Sequence, residues 1–491
     1  MNGNKKAYLQ IALMMFISLA TQLVALVRMS VVAKSFGTSV SMDAYNFCNN
    51  LSTFVFSFIS TGISTVLIPA IVQKKPMKLL NTFITVLYML SIAAVAILLI
   101  FREPISSLFS SGSAEFTAKA SSLMFIALGS QFMHTVIGVA VAVFQCREKY
   151  NIPKMFTFVT SVLLLILVII DDNLTIYRYA LYVLVTTVLN GILHMICTYR
   201  EKFIYKPALS LKEPGLSEMF KIFLPTVFSA GLYQISLLTD SLISSTLGQG
   251  NISVLTYSNN IMSLISTLLT ANIMLYIYPK IAAELKKNNS KEHLFEYGMF
   301  FSGIMLLITA GFFCAGREGI CVLYQRGEFT ANISAQVYYC TVIYTLGLPV
   351  NVFRDVIYRF FYAEGLTKVT FVNSITASVF NIIISIILAQ FIGIYGIALG
   401  TVLSGVLSLS AITIRFIKRF GRPQNLKWIA AELTKCLLSA GAAAIAVFAV
   451  KHTFAIQNSV LSLLISGVIC IGMYVGCLFL TRSKILKIKL G

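Results

Sequence analysis

Fourteen apolar runs, each long enough to cross a lipid bilayer, constrain this 491-residue chain more tightly than any motif within it. A helix needs about 20 apolar residues to span hydrocarbon. Runs of that length fall near 7–33, 44–72, 79–101, 118–145, 155–171, 176–198, 218–247, 253–279, 295–315, 333–362, 369–391, 394–416, 428–450 and 457–480. In lipid each backbone N–H and C=O must be satisfied within its own segment, so runs this long are helices. The chain is therefore read as an all-α polytopic membrane protein of about 14 transmembrane helices. Composition agrees, with 57% hydrophobic and only 11% charged residues, where soluble domains carry about 25% charged. The first run, Tyr8 to Val27, follows MNGNKK without a small-residue cleavage site, so it is expected to be a retained helix and not a signal peptide.

The net charge of +20 would suggest a nucleic-acid partner in a soluble protein. Here the cations sit in the connections. If the N-terminus is cytoplasmic, the inward segments hold Lys5 and Lys6; Lys74, Lys75 and Lys78; Arg147, Lys149 and Lys154; Arg200, Lys202, Lys206 and Lys212; Lys280, Lys286, Lys287 and Lys291; Lys368; Arg415, Lys418, Arg419, Arg422 and Lys427; and Arg482, Lys484, Lys487 and Lys489. The outward segments hold only Lys34, Arg102, Lys119, Arg178, Arg317, Arg326 and Lys451. Positive-inside asymmetry explains this without a polyanion and places both termini in the cytoplasm. Nine cysteines are scattered singly; only Cys314 and Cys321 are expected to bracket an outward loop, and a disulfide between them is not expected. His134 and His194 lack metal-ligand spacing, and no Walker A, GxSxG or HExxH sequence is present. An enzyme is not expected, and neither is a self-contained ATP pump. A membrane-embedded glycosyl- or acyltransferase would need a catalytic residue in a sizeable outward loop, and the outward loops are short.

The halves of the chain resemble each other. Asn49-Asn50 and Pro69 recur about 210 residues later as Asn259-Asn260 and Pro279, Gly37 recurs as Gly248, and Glu115-Phe116-Thr117-Ala118 as Glu328-Phe329-Thr330-Ala331. A duplication with an even number of helices per copy gives two bundles related by an axis along the membrane normal, the architecture of an alternating-access transporter. The expected organisation is an N-terminal lobe over 1–200, a cytoplasmic linker over 201–217 rich in proline and charge, a C-terminal lobe over 218–420, and two further helices over 421–491.

Ionisable side chains inside such runs mark candidate sites. Arg28 ends the first run; a guanidinium in hydrocarbon costs roughly 2.5 to 3.5 kcal/mol on insertion scales unless it faces water, a partner or a ligand. It snorkels to the outer headgroups, or pairs with Asp43 at the helix end, or faces a cavity and holds an anionic group in a bidentate fork. Asp240, inside the seventh run, needs a cation, a proton or an arginine, and Arg28 is one candidate partner. In the tenth run Arg354 and Asp355 are adjacent and cannot face one another on a helix, whereas Asp355 and Arg359 are four apart and expected to pair. Arg354 is assigned to the cavity. The amides of Asn46, Asn49, Asn50, Asn259 and Asn260 either hydrogen-bond sugars or bridge helices.

Arg28-x14-Asp43, with Ala33-Lys34-Ser35-Phe36-Gly37 between them and Pro69 ending the second helix, resembles the MurJ/MviN family of lipid II flippases in the multidrug/oligosaccharidyl-lipid/polysaccharide exporter superfamily. Leu323-Tyr324-Gln325-Arg326-Gly327-Glu328-Phe329-Thr330 and Arg359-Phe360-Phe361-Tyr362-Ala363 extend the likeness over essentially the whole chain. The resemblance implies export of a polyprenyl-diphosphate-linked saccharide from inner to outer leaflet of a bacterial cytoplasmic membrane, with Arg28, Asp43, Asn49, Asn50, Asn260 and Arg354 as substrate-binding residues. Family arginines on helices 1, 2 and 8 correspond to positions near Gln22, Phe56 and Asn260, so only Arg28 of that cluster remains. Fewer cations hold a diphosphate less tightly, which opens a capsule or exopolysaccharide repeat unit as an alternative to lipid II. The family's sodium pattern falls on Asp240, Asn381, Ser385 and Thr401, all oxygen donors, so coupling to sodium or protons is expected and no other cofactor. A cation-coupled drug or metabolite antiporter of the same superfamily is the competing function. The expected partners are the lipid-linked saccharide and membrane lipid, with a monomeric transporter working beside cell-envelope glycosyltransferases.

Overall fold

The computed structural model describes residues 3–266, 290–423, 426–454 and 458–487. Pro279, Lys280, Lys286, Lys287, Lys489 and the end of the eighth apolar run lie outside them. In chain order the helices are α1 (Gly3–Phe36), α2 (Val40–Gly62), α3 (Ile68–Val72), α4 (Met77–Ile100), α5 (Arg102–Leu108), α6 (Ala114–Cys146), α7 (Asn151–Ile170), α8 (Ile176–Arg200), α9 (Leu216–Thr246) and α10 (Asn251–Ile265). They continue as α11 (Ser290–Tyr324), α12 (Ala331–Ala363), α13 (Thr367–Ile392), α14 (Ile394–Phe420), α15 (Leu426–Phe454) and α16 (Ser459–Leu480), with a 3-10 turn over Lys484–Lys487. Among the described residues 12 spans are long and apolar enough to cross a membrane, and α9 and α10 occupy the other two predicted runs.

The chain divides into two compact units, one ending at Ser253 and one beginning at Val254. In the first, α2 packs on α6 and α9, α6 on α8, and α1 on α7. Because α9 lies along α2, it counts with the first unit, later than the 201–217 segment read as the linker. That segment is laid along α4: Glu213 pairs with Lys78 at 2.9 Å, and the Tyr205 hydroxyl and the Ala208 N–H meet Thr85 Oγ1 at 2.9 and 3.1 Å. In the second unit α11 packs on α12, α15 and α16, while α13 lies against α14 and α14 against α12.

Lipid tails are as apolar as leucine, so such helices associate through close packing and interhelical hydrogen bonds. One close backbone approach joins α13 and α14. A Cβ on Gly396 would lie 2.4 Å from the Leu388 carbonyl and one on Gly400 2.5 Å from Ser385 Oγ, so only glycine permits this contact. Helix starts carry side-chain caps where the sequence offers a hydroxyl or amide. Ser113 accepts from Phe116 N, Thr175 from Arg178 N and Thr330 from Ile333 N.

The duplication reappears as packing. In the first unit Phe47 of α2 meets Phe109 and Phe116 with ring centroids 4.5 and 5.7 Å apart. In the second, Tyr257 of α10 meets Tyr324 and Phe329 at 5.5 and 5.2 Å. The recurring Glu-Phe-Thr-Ala thus supplies one ring of an equivalent three-ring cluster in each unit. Two elements depart from the sequence reading. Residues Ile63–Leu67 form a π-helical turn between α2 and α3, and Cys314 and Cys321 both lie within α11, which is longer than the predicted 295–315 run. Seven residues on a helix separate them by about 10 Å, beyond the reach of a disulfide, and both thiols are free.

Candidate functional site

The site begins at the turn from α1 to α2. Gly37 reverses the chain at φ +51°, and the Ser39 hydroxyl caps α2 by accepting from Met42 N at 3.4 Å. One turn into α2, Asp43 is 3% exposed and turned toward the start of α10. Its Oδ2 accepts the Gly250 N–H at 2.6 Å, and its Oδ1 accepts the Ser253 N–H at 2.8 Å and the Ser253 hydroxyl at 2.6 Å. A carboxylate at a helix N-terminus satisfies amides that have no intrahelical acceptor and offsets the positive end of the helix dipole. Gly250 is required twice over: its φ is +88°, and a Cβ would sit 3.0 Å from the Thr38 carbonyl. The alternative in which Asp43 pairs with Arg28 is therefore not the arrangement the structure adopts.

The same face of α2 continues the stitching. Asn46 Nδ2 donates to Ser253 Oγ and Asn50 Nδ2 to Ser241 Oγ of α9, both at 3.1 Å. The Ser111 hydroxyl donates to the Ser245 carbonyl. Asn49 is exposed on the adjoining face. Arg28, about seven turns along α1, is half-buried. It lies close enough to Tyr45 to act on it electrostatically, and its Nε is shielded from solvent without a hydrogen-bond partner among the described residues. Of the positions matching other family arginines, Gln22 is half-buried and Phe56 is buried.

In the second unit Asn260 is half-buried on α10, and Arg354 on α12 does what the sequence reading excluded. Its Nε and a terminal nitrogen donate to Asp355 Oδ1 at 3.2 and 3.0 Å. Adjacent side chains on a helix point about 100° apart, yet a long guanidinium folds back across that arc, and it is held there over the Tyr358 ring at 5.5 Å from the centroid. The pair shown is thus Arg354–Asp355, where Asp355–Arg359 was expected. Tyr358 opens a buried polar network: Asn373 Nδ2 donates to the Tyr358 hydroxyl at 2.9 Å and to Ser408 Oγ at 2.8 Å, and Arg415 donates to Asn373 Oδ1 at 3.1 Å. No sequence motif announced this network, since its members are single polar residues on three helices.

Asp240 is a buried carboxylate on α9 in the first unit. The other three residues of the predicted sodium pattern lie in the second. Asn381 Nδ2 donates to Thr401 Oγ1 at 3.1 Å, and the Ser385 hydroxyl donates to the Ile397 carbonyl at 3.5 Å. Asn381 Oδ1 is buried without a hydrogen-bond partner among the described residues, so one neutral acceptor remains there. Those residues contain no cluster of three or more His, Cys, Asp or Glu side chains able to hold a metal. His194 is fully buried, with Nδ1 on the Asn190 carbonyl at 2.8 Å and its ring between Phe144 and Phe156, a packing role.

Membrane-length helices carrying buried ionisable groups, with a carboxylate fastening one long helix to the start of another, define a multi-pass membrane transport protein. The family model described as lipid II flippase MurJ matches residues 32–469. A probable lipid II flippase MurJ of Thermotoga maritima is 23% identical over 479 residues, covering 96% of this chain and 94% of that protein. One of Vibrio cholerae serotype O1 is 25% identical over 426 residues, covering 80% of each. The solved lipid II flippase MurJ in its inward closed conformation superposes with a TM-score of 0.82 at 22% identity, covering 96% of this chain and 99% of that one. An inward-facing multidrug resistance MATE family transporter of the MOP superfamily follows at 0.68 and 15% identity, over 81% of this chain and 94% of that one. This chain belongs to the lipid II flippase MurJ family. Its likeness to the MATE transporter is one of fold.

Proposed function

We propose that this chain moves lipid II, a polyprenyl-diphosphate-linked saccharide, from the inner to the outer leaflet by alternating access, with both termini in the cytoplasm. The observation that carries this reading at the level of residues is Arg28. A half-buried guanidinium with an unsatisfied donor, in a chain matched by the flippase family model over residues 32–469, is a cation awaiting an anionic group, and a diphosphate supplies paired oxygens to a guanidinium fork. Asn49, exposed on α2, extends the proposed head-group contacts within the first unit, and Asn260 and Arg354 are the candidate contacts of the second. Asp43 and Asn50 act in this scheme by holding α2 to α9 and α10, so they control when the head-group site opens.

Cation coupling belongs to the same proposal. Asp240 supplies a buried carboxylate for a proton or sodium step, and Asn381, Ser385 and Thr401 supply neutral oxygens of the kind a hard cation accepts. We further propose that the transporter works as a monomer beside cell-envelope glycosyltransferases. The test is Arg28→Ala in cells depleted of the native gene. The variant is expected to reach the membrane in normal amount and fail to restore growth. Restored growth would remove Arg28 from the mechanism.

A further inference from the structure

Away from Arg28 and Asp43, the second unit holds a cationic cavity of about 440 Å³ where α12 ends, α13 begins and α14 finishes. Lys368, Arg415 and Arg419 line it, and none of the three has an ion-pair partner among the described residues. Arg415 and Arg419 stand one turn apart on the same face of α14, where like charges repel. Glu364, the nearest carboxylate in sequence, is exposed and is not part of the lining. Gly365, at φ +73°, turns the chain from α12 into α13, and Leu366 gives α13 no side-chain cap. The first amides of α13 therefore add their partial positive charge at the same place. Arg415 is held in position from behind, donating to the Val369 carbonyl at 3.4 Å and to Asn373 Oδ1 at 3.1 Å. Its remaining N–H groups are left for a ligand.

We propose that this cavity binds the phosphate head group of an anionic glycerophospholipid. Unbalanced cations gathered on a preset guanidinium and an uncapped helix start are the chemistry of a phosphate site. A lipid source fits better than a free anion because the cavity wall is partly apolar. Val369 and Val372 complete it, and the exposed stripe of α13 continues from Val372 through Val379, Ile383 and Ile387, a path for an acyl chain leading away from the head group. The cations belong to the segments that charge asymmetry assigns to the cytoplasmic face, where anionic lipid attracts each added Lys or Arg. Hydrogen bonds and a ring contact connect the cavity to Arg354, since Arg415 reaches it through Asn373 and Tyr358.

The test uses the full-length purified protein and native mass spectrometry, titrating phosphatidylglycerol against phosphatidylcholine. Wild type is expected to bind phosphatidylglycerol selectively, and Lys368→Gln/Arg419→Gln to bind it about thirtyfold more weakly, taking roughly a factor of five for each cation lost. Both residues are exposed, so the fold is spared, whereas Arg415→Gln would disturb Asn373 and is the weaker probe. Phosphatidylglycerol binding unchanged in the double variant, or phosphatidylcholine bound equally by wild type, would overturn the proposal. Glycerol 1-phosphate in molar excess is expected to leave the lipid bound. Displacement at equimolar concentration would overturn it in favour of a soluble anion.

Discussion

Asp43→Asn is the substitution whose effect can be worked most fully from the geometry. The wild-type carboxylate accepts at both oxygens, from the Gly250 N–H at 2.6 Å and from the Ser253 N–H and hydroxyl at 2.8 and 2.6 Å. Asparagine keeps one acceptor oxygen and turns an NH2 donor toward the other amide. One charge-assisted hydrogen bond is lost outright, about 1.5–3 kcal/mol, and the negative charge at the start of α10 disappears, up to about 1 kcal/mol more. The contact should loosen by about 2–4 kcal/mol in all. If the Gly250–Ser253 segment opens locally, its amides should exchange with deuterium about 30- to 700-fold faster. Hydrogen-exchange mass spectrometry on peptides covering 248–256 reads this directly, with α4 as an internal reference. Unchanged exchange at Gly250 and Ser253 would refute the claim that Asp43 fastens α2 to α10, whatever the effect on growth.

Gly62 faces the Phe223 ring of α9, and a Cβ there would come within 1.8 Å of Cε2. Gly62→Ala should therefore cost about 1–3 kcal/mol by overpacking, seen as less protein surviving heating in detergent, and Phe223→Leu in the same chain should recover most of the loss. At the start of the 201–217 segment, Glu201 receives Lys149 at 2.6 Å and Arg147 at 3.2 Å, and the hydrogen bond from Lys149 leads in lowering its carboxyl below the usual 4.5. A depressed folded-state value means that this tie is fully present above pH 4.5 and is lost as pH falls through the lowered value. Protease cleavage within 201–215 should accordingly rise only on acidification, and Glu201→Gln should show the higher rate already at neutral pH.

The helices were legible because hydrocarbon imposes a length and an apolar content that few other structures satisfy. The site was legible in part, for a reason visible at Asp43. Its residue type and its place at the turn before the second run follow from the sequence, but its burial does not, and its partners, Gly250 and Ser253, are 207 and 210 residues away. The repeat offset held a clue, since Ser253 occupies the duplicated position of Asp43. The Arg354–Asp355 pair escaped because spacing rules describe short side chains better than a guanidinium able to fold back onto Tyr358. The π turn at Ile63–Leu67 and the Arg415–Asn373–Tyr358 network depend on tertiary packing that no local pattern encodes.

Carriage of lipid II across the membrane is tested most directly by measuring which face holds the precursor when the protein is removed. In intact cells depleted of it, lipid II should accumulate in a form protected from a membrane-impermeant hydrolase or labelling reagent, and re-expression of wild type, but not of Arg28→Ala, should restore access. Lipid II that stays accessible from outside throughout depletion would contradict the account.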